Sequence, residues 1–110
     1  MPQATLVSGS PVMGDFIAGA NLAAGDVVVR GDLVGITHCD VLNGKLGALA
    51  LGGAIYDVVF AGIYAAGVKL YWDDTANKVT TTASGNKVFG FAHEASTAAD
   101  QIRQALHAPS

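Results

Sequence analysis

The run "THCD", residues 37–40, places a nucleophile, a possible base and a carboxylate side by side. Such residues could support thiol catalysis, in which a histidine activates the cysteine. Neighbours in a strand point to opposite faces, so His38 and Cys39 do not readily share one site. A catalytic thiol would need His93 or His107, which lie far away in the sequence. The run favours a small, partly buried cysteine beside a surface histidine near a turn.

The other chemical candidates are weaker. One cysteine with three well-separated histidines matches no common zinc-ligand spacing. Asp73 and Asp74 are adjacent, and such pairs more often serve as turn and solvation groups than as an acid–base pair. The stretches "SGSPVMG" and "GNKVFG" lack the Gly-Lys-Ser/Thr of a phosphate loop. We therefore predict no catalytic residue, no cofactor, no metal site and no enzymatic activity.

Two aromatic residues suggest a non-catalytic alternative, a carbohydrate-binding β-module. Tyr71 or Tyr64 could stack on a sugar ring. Strand alternation lets only one of Tyr71 and Trp72 face outward, and Trp72 is expected in the core.

The composition indicates one domain with surplus apolar surface. The chain has 110 residues, 51% of them hydrophobic, and a mean hydropathy of +0.40. This surplus predicts an interface. The net charge is −3 and the six basic residues are scattered, which disfavours nucleic-acid binding. The single cysteine excludes an intrachain disulfide.

Residues 46–68 are long and apolar enough to suggest a membrane span. Asp57 lies at the centre of this segment, and five glycines interrupt it. Its β-branched and aromatic residues fall in short runs. We therefore predict buried strands and no membrane partner.

Short strand-like segments bounded by Gly, Asn or Asp recur along the chain. They are residues 15–19, 26–31, 33–39, 46–51, 54–60, 69–72, 78–82 and 87–92. This spacing predicts an all-β fold, a small single-domain β-barrel or sandwich of short antiparallel strands with little or no helix.

Residues 69–92 predict a three-stranded meander with one face packed inward. Asn77 should tolerate a left-handed conformation in the first reversal, and Gly85 and Asn86 should supply positive φ in the second. Gly35 and Gly90 each interrupt a strand, which predicts a bulge, a bend or a close backbone approach.

Three segments carry a family resemblance: "AAGDVVVRGDLVGI", "LGALALGGAIYDV" and "AAGVKLYWDDTANKVTTTASGNKVFGFA", in this order. Together they closely resemble the DUF2190 family of phage capsid cement, or decoration, proteins. The residues that carry the resemblance are structural rather than catalytic: Gly25, Asp26, Gly31, Asp32, Leu33, Gly35, Tyr71, Trp72, Asp73, Gly85, Asn86 and Gly90.

The resemblance implies a β-barrel-like decoration domain over residues 21–110. It implies a homotrimer, made in the host cytoplasm, that binds the major capsid protein on the outer surface of the icosahedral head of the virion. Residues 1–20 are expected to form an N-terminal segment, which is either an extended arm that contacts the capsid or an ordinary frayed terminus followed by one strand. The end of the chain, "ADQIRQALHA", favours a helix by propensity, whereas the resemblance implies a strand.

Overall fold

The structure, a computed structural model, describes residues 3–108, which contain ten strands and no helix. The strands are β1 (Ala4–Gly9), β2 (Met13–Ile17), β3 (Val27–Arg30), β4 (Leu33–Thr37), β5 (Leu46–Ala50), β6 (Ala54–Phe60), β7 (Lys69–Asp73), β8 (Lys78–Thr80), β9 (Lys87–Ala92) and β10 (Gln101–His107). The all-β prediction is confirmed, and all eight predicted strands are present.

The strands form two sheets. Sheet A has the order β1-β6-β10-β9-β7-β8, and sheet B has the order β2-β5-β4-β3. Neighbouring strands are antiparallel except β6 and β8, which pair in parallel through Phe60 and Val79. Because β8, the last strand in this order, pairs with β6, the second, the strands β6, β10, β9, β7 and β8 form a closed circuit of pairings.

β6 shows most clearly why the sequence folds in this way. Its residues alternate strictly between buried and half-buried, with Ala54, Tyr56, Val58 and Phe60 facing inward. Alternation of this kind gives a strand one core face. The main core joins both sheets, because these residues pack in one cluster with residues of β3, β4, β7 and β9.

Sheet B is buried on both faces over part of its area. Val34 and Ile36 of β4 face the main core, whereas Leu49 of β5 packs with Phe16 in a second, smaller cluster. Gly35 lies between these layers, where a Cβ would stand 3.0 Å from the Leu49 side chain. The crowding at Gly35 comes from a side chain and not from another backbone, so the close backbone approach predicted there is not confirmed.

The predicted meander of residues 69–92 was wrong in its strand order. β7 lies between β8 and β9 and pairs with both. The chain therefore crosses from one side of β7 to the other between β8 and β9, and the turn at Gly85 does not close a hairpin. Leu70 and Trp72 face the core as expected.

The C-terminal segment forms β10 and not a helix, as the resemblance implied. β10 pairs along its full length with β6, from Gln101 opposite Phe60 to His107 opposite Ala54. This central position in sheet A satisfies the backbone, and pairing of this kind overrides a weak helical propensity.

The N-terminal segment contributes a strand to each sheet. β1 pairs with β6 at one edge of sheet A, and β2 pairs with β5 at one edge of sheet B. Residues 4–17 thus tie the two sheets together through the backbone. Among residues 3–108 there is no helix long and apolar enough to cross a membrane.

Candidate interaction surfaces

His38, Cys39 and Asp40 of the run THCD border an open cleft of about 370 Å³ beside sheet B, together with Asp15. The His38 Nε2 is 2.6 Å from the Tyr56 hydroxyl, and among the described residues no hydrogen bond joins the His38 ring to Cys39. Asp40 accepts a hydrogen bond from the backbone N–H of Ala24 instead. Cys39 is exposed and His38 half-buried, so the predicted burial of the pair was wrong.

The other acidic candidates, Asp73 and Asp74, form turn contacts. Residues 3–108 contain no cluster of three or more His, Cys, Asp or Glu side chains that could hold a metal ion. Asp73 accepts hydrogen bonds from the N–H groups of Thr75 and Ala76, and Asp74 accepts one from the Trp72 indole. The two carboxylates shape the turn, as their sequence position predicts.

Gly25 and Asp26 form a turn that Thr37 holds in place. Gly25 has a φ of 85°, which favours glycine, and its N–H donates to the Thr37 carbonyl at 2.7 Å. The fully buried Thr37 hydroxyl donates to the Ala23 carbonyl and accepts from the Asp26 N–H. Sequence reasoning missed Thr37, although a polar residue ending an apolar strand was a usable signal.

Gly31, Asp32 and Leu33 shape the connection between β3 and β4. Gly31 adopts a φ of 61° in the turn. Lys87 of β9 donates to Asp32 at 2.7 Å, so this ion pair links the two sheets at the surface. The hydrogen bond and the charge of Lys87 hold the pKa of the Asp32 carboxyl below its usual value.

The turns on either side of β8 follow the predicted chemistry with one exception. Asn77 has a φ of 58° and Gly85 a φ of 77°, so both take the left-handed conformation expected of them. Asn86 does not have a positive φ, and that prediction was wrong. Asn86 instead closes the turn, since its N–H donates to the Ala83 carbonyl and its side chain donates to the Thr82 carbonyl.

Gly90 lies where β9 passes closest to β10. A Cβ at this position would stand 1.9 Å from the Leu106 carbonyl oxygen. The register of β9 on β7 also shifts here, because Leu70 faces Gly90 whereas Tyr71 faces Val88. The predicted bulge with a close backbone approach is confirmed.

Neither of the tyrosines suggested for sugar stacking has a fully exposed ring. Tyr64 is half-buried against Phe60, and its hydroxyl is 3.3 Å from the Thr80 hydroxyl. Tyr71 is half-buried, and the Lys69 ammonium lies 5.8 Å from its ring centroid. Trp72 is in the core, as predicted. Each of the two rings is thus partly covered by neighbouring residues.

Apolar side chains form a row across the outer face of sheet A. Ile55, Leu106, Phe91 and Lys69 are direct cross-strand neighbours on β6, β10, β9 and β7. Phe91 is 41% exposed. Ile102, paired with Val59, lies on the same face and is 48% exposed, and we call these residues the sheet A row. Inward-facing residues of β10 are small or polar, so the apolar outer residues are not needed for the core.

A second apolar surface continues the main core beyond the reach of sheet A. Val27, Ile36, Ala50 and Met13 are cross-strand neighbours on sheet B, and their exposed fractions are 7%, 0%, 0% and 43%. The face of sheet B that packs on the core is thus exposed to solvent where it continues onto β2 and the start of β5.

Farther along the same two strands, Ile17 and Leu46 are paired and are 62% and 66% exposed. Directly opposite side chains share a face, and strand alternation places Met13 on that face too, with the exposed Asp15 between Met13 and Ile17. We call Met13, Ile17 and Leu46 the sheet B overhang. Single exposed apolar residues are ordinary, but an uncovered extension of a core face marks an interaction surface.

Comparison with protein families decides between a binding module and a virion component. The model of a family described as phage cement protein matches residues 7–107. The chain belongs to the phage cement protein family. The match includes all the strands except the start of β1, and it confirms the family that the sequence suggested. A search of curated proteins found no match.

Membership in the phage cement protein family supports a structural role on the phage capsid rather than a catalytic one. The geometry agrees with this role. The residues that carry the family resemblance hold turns, a bulge and the contacts between sheets, and they do not gather into one pocket.

Proposed function

We propose that this phage cement protein binds the outer surface of the mature icosahedral head and bridges neighbouring subunits of the major capsid protein. The observation that carries the proposal is the presence of two apolar surfaces, the sheet A row and the sheet B overhang, on different sheets of one small body. A cement protein needs two kinds of contact, one with the shell and one with the next copy. Family membership supports this assignment.

The sheet B overhang is the surface proposed to contact the capsid. Met13 and Ile17 belong to the N-terminal segment, residues 1–20, for which the sequence predicts a capsid contact. Leu46 completes the surface from β5. Desolvating three large apolar side chains is worth roughly 1–3 kcal/mol for each one that becomes fully buried. One overhang thus gives a modest contact, and tight attachment needs several.

The sheet A row is the surface proposed for contact between copies in a homotrimer. It extends across three neighbouring strands, β6, β10 and β9, on one face of sheet A. Asp57, paired with Gln104, lies between its two apolar parts and would set the register between copies.

Linking three modest contacts makes the attachment slow to dissociate. Once one copy is bound, the others are held at a high effective concentration, which can raise the overall affinity by about 10²–10⁴-fold. A protein that binds only the expanded shell also stabilises that shell by mass action. No covalent step is required.

Cosedimentation with purified heads tests the proposed function. We expect the protein to pellet with mature, expanded heads and to stay in the supernatant with unexpanded shells. Binding to neither would refute the proposal. Equal binding to both would refute the selectivity that stabilisation of the mature state requires.

A further inference from the structure

His107 connects the two sheets from inside the core. It ends β10 of sheet A and is fully buried. Its Nε2 is 2.7 Å from the carbonyl oxygen of Val34, which belongs to β4 of sheet B. A carbonyl oxygen can only accept a hydrogen bond, so Nε2 carries the proton. The neutral ring therefore joins the sheets as a donor.

The other ring nitrogen has nothing to bond with. Nδ1 of His107 is buried and has no hydrogen-bond partner among the described residues. The ring is instead flanked by Tyr56 and Phe89, with centroids 5.8 Å and 5.2 Å away. A second proton on this ring would place a charge and an unpaired N–H among aromatic side chains. Both are costly in a buried site.

The groups around His107 do not offset such a charge. From the β4 side the titratable neighbour is His38, and from β6 it is Tyr56, whose hydroxyl contacts His38. Burial raises the pKa of Tyr56 to about 12, so its phenol stays neutral. On the packed strands, Asp57 faces outward from β6, and Lys87 of β9 is paired with Asp32 at the surface.

On its own strand, the charged neighbour of His107 is a cation. Arg103 lies on the same side of β10, and its Nε is also buried without a partner. Neither β10 nor the strands packed on His107 therefore place a carboxylate against the ring among residues 3–108. Compensation of a new positive charge by a neighbouring acid is not available.

We propose that His107 is an acid-released latch: its buried ring has no partner among the described residues for a second N–H on Nδ1, so the ring takes up that proton only when β10 separates from β4 and sheet A loosens from sheet B. Burial lowers the pKa of His107, the hydrogen bond to Val34 opposes this shift, and the charge of His38 adds to it. In the unfolded chain the ring takes up a proton near its ordinary pKa of about 6.5.

The latch makes folding depend on pH in a defined direction. Above the unfolded-state pKa the ring is neutral in both states, and the latch contributes in full. As the pH falls below about 6.5, the unfolded chain binds a proton that the folded chain refuses, and the folding equilibrium constant falls by up to tenfold per pH unit. The loss continues until the pH reaches the lowered folded-state pKa.

Urea unfolding followed by the fluorescence of Trp72, the single tryptophan, tests the latch. The wild type, His107→Gln and His93→Gln are compared between about pH 7.5 and pH 5, a range in which histidines titrate. Gln keeps a donor for the Val34 carbonyl but does not titrate. We expect the wild type and His93→Gln to lose at least tenfold more of their folding equilibrium constant than His107→Gln.

Parallel pH profiles for the wild type and His107→Gln would overturn the proposal, as would a flattened profile for His93→Gln. A second measurement needs no variant. Proton–nitrogen correlation spectra of the wild-type imidazoles should show His107 neutral, with its proton on Nε2, at pH values where an ordinary histidine is charged. A His107 ring that is already doubly protonated at pH 6.5, or that carries its single proton on Nδ1, would contradict the latch.

Discussion

At Gly90 there is no room for a side chain, because a Cβ would overlap atoms of the neighbouring strand. Its φ is 152°, and a Cβ would overlap the backbone of β10 at the Leu106 carbonyl. Gly31 also has a positive φ, 61°, but a Cβ there would meet open space. A substitution at Gly31 would therefore cause only conformational strain, whereas one at Gly90 would also cause a steric overlap.

Substituting these glycines should therefore have very different effects. Gly90→Ala must push β9 away from β10 in the centre of sheet A, and we expect a loss of more than about 4 kcal/mol of unfolding free energy, or no folded protein. Gly31→Ala adds only the strain of a left-handed alanine, about 1–2 kcal/mol. Urea unfolding of both variants measures this difference, and equal losses would show that the overlap at Gly90 relaxes.

Residue-level predictions from sequence succeeded where the cause was local. The left-handed conformation of Asn77 and the burial of Trp72 follow from side-chain chemistry within a few residues. Thr37 and His107 were missed because their roles depend on partners distant in sequence, Ala23 and Val34. No local pattern contains those pairings.

At the level of elements, β1 differs from the other strands. All of its residues after Ala4 are exposed, so it lacks the apolar alternation that marks a strand in the sequence. It forms because its backbone pairs with β6 and because Ala4, 2% exposed, fills the main core. The order of the strands was likewise beyond sequence reasoning, since β7 pairs with β8 across a short turn and also with β9, which follows β8 in the chain.

Deleting residues 1–10 should therefore weaken the fold and not merely remove a loose end. The deletion removes the β1–β6 ladder and the Ala4 contact, and we expect a loss of at least about 2 kcal/mol. For a domain of this size, that lowers Tm by about 8 °C or more. The matched control, Leu6→Ser with Val7→Ser, keeps the backbone pairing and should lose less than about 1 kcal/mol. A deletion variant that melts with the wild type would show that β1 contributes nothing.

At the level of the whole molecule, part of the surplus of apolar residues lies on the surface. Core positions of β6 and β10 are filled by inward-facing residues, while Phe91, Ile102, Ile17 and Leu46 remain exposed on two separate surfaces. The sequence predicted an interface from composition but not its position, because exposure depends on which strands end up beyond the edge of the opposite sheet. Family membership supports a role on the phage capsid, and the two exposed surfaces are where we propose that its contacts lie.

Substitutions in the two surfaces should have different effects on binding to the capsid. Ile17→Ser with Leu46→Ser removes the proposed capsid contact, whereas Phe91→Ser with Ile102→Ser removes the proposed contact between copies. Ile63→Ser is a matched control, since Ile63 is 71% exposed and belongs to neither surface. All three variants keep the core, so their folds should match that of the wild type.

The most direct measurement is the rate at which each variant dissociates from mature heads after dilution. We expect the Ile17/Leu46 variant not to attach, the Phe91/Ile102 variant to attach but to leave at least about tenfold faster than the wild type, and Ile63→Ser to behave as the wild type does. Wild-type dissociation of the Ile17/Leu46 variant, or equal losses in all three variants, would contradict the assignment of two surfaces to two partners.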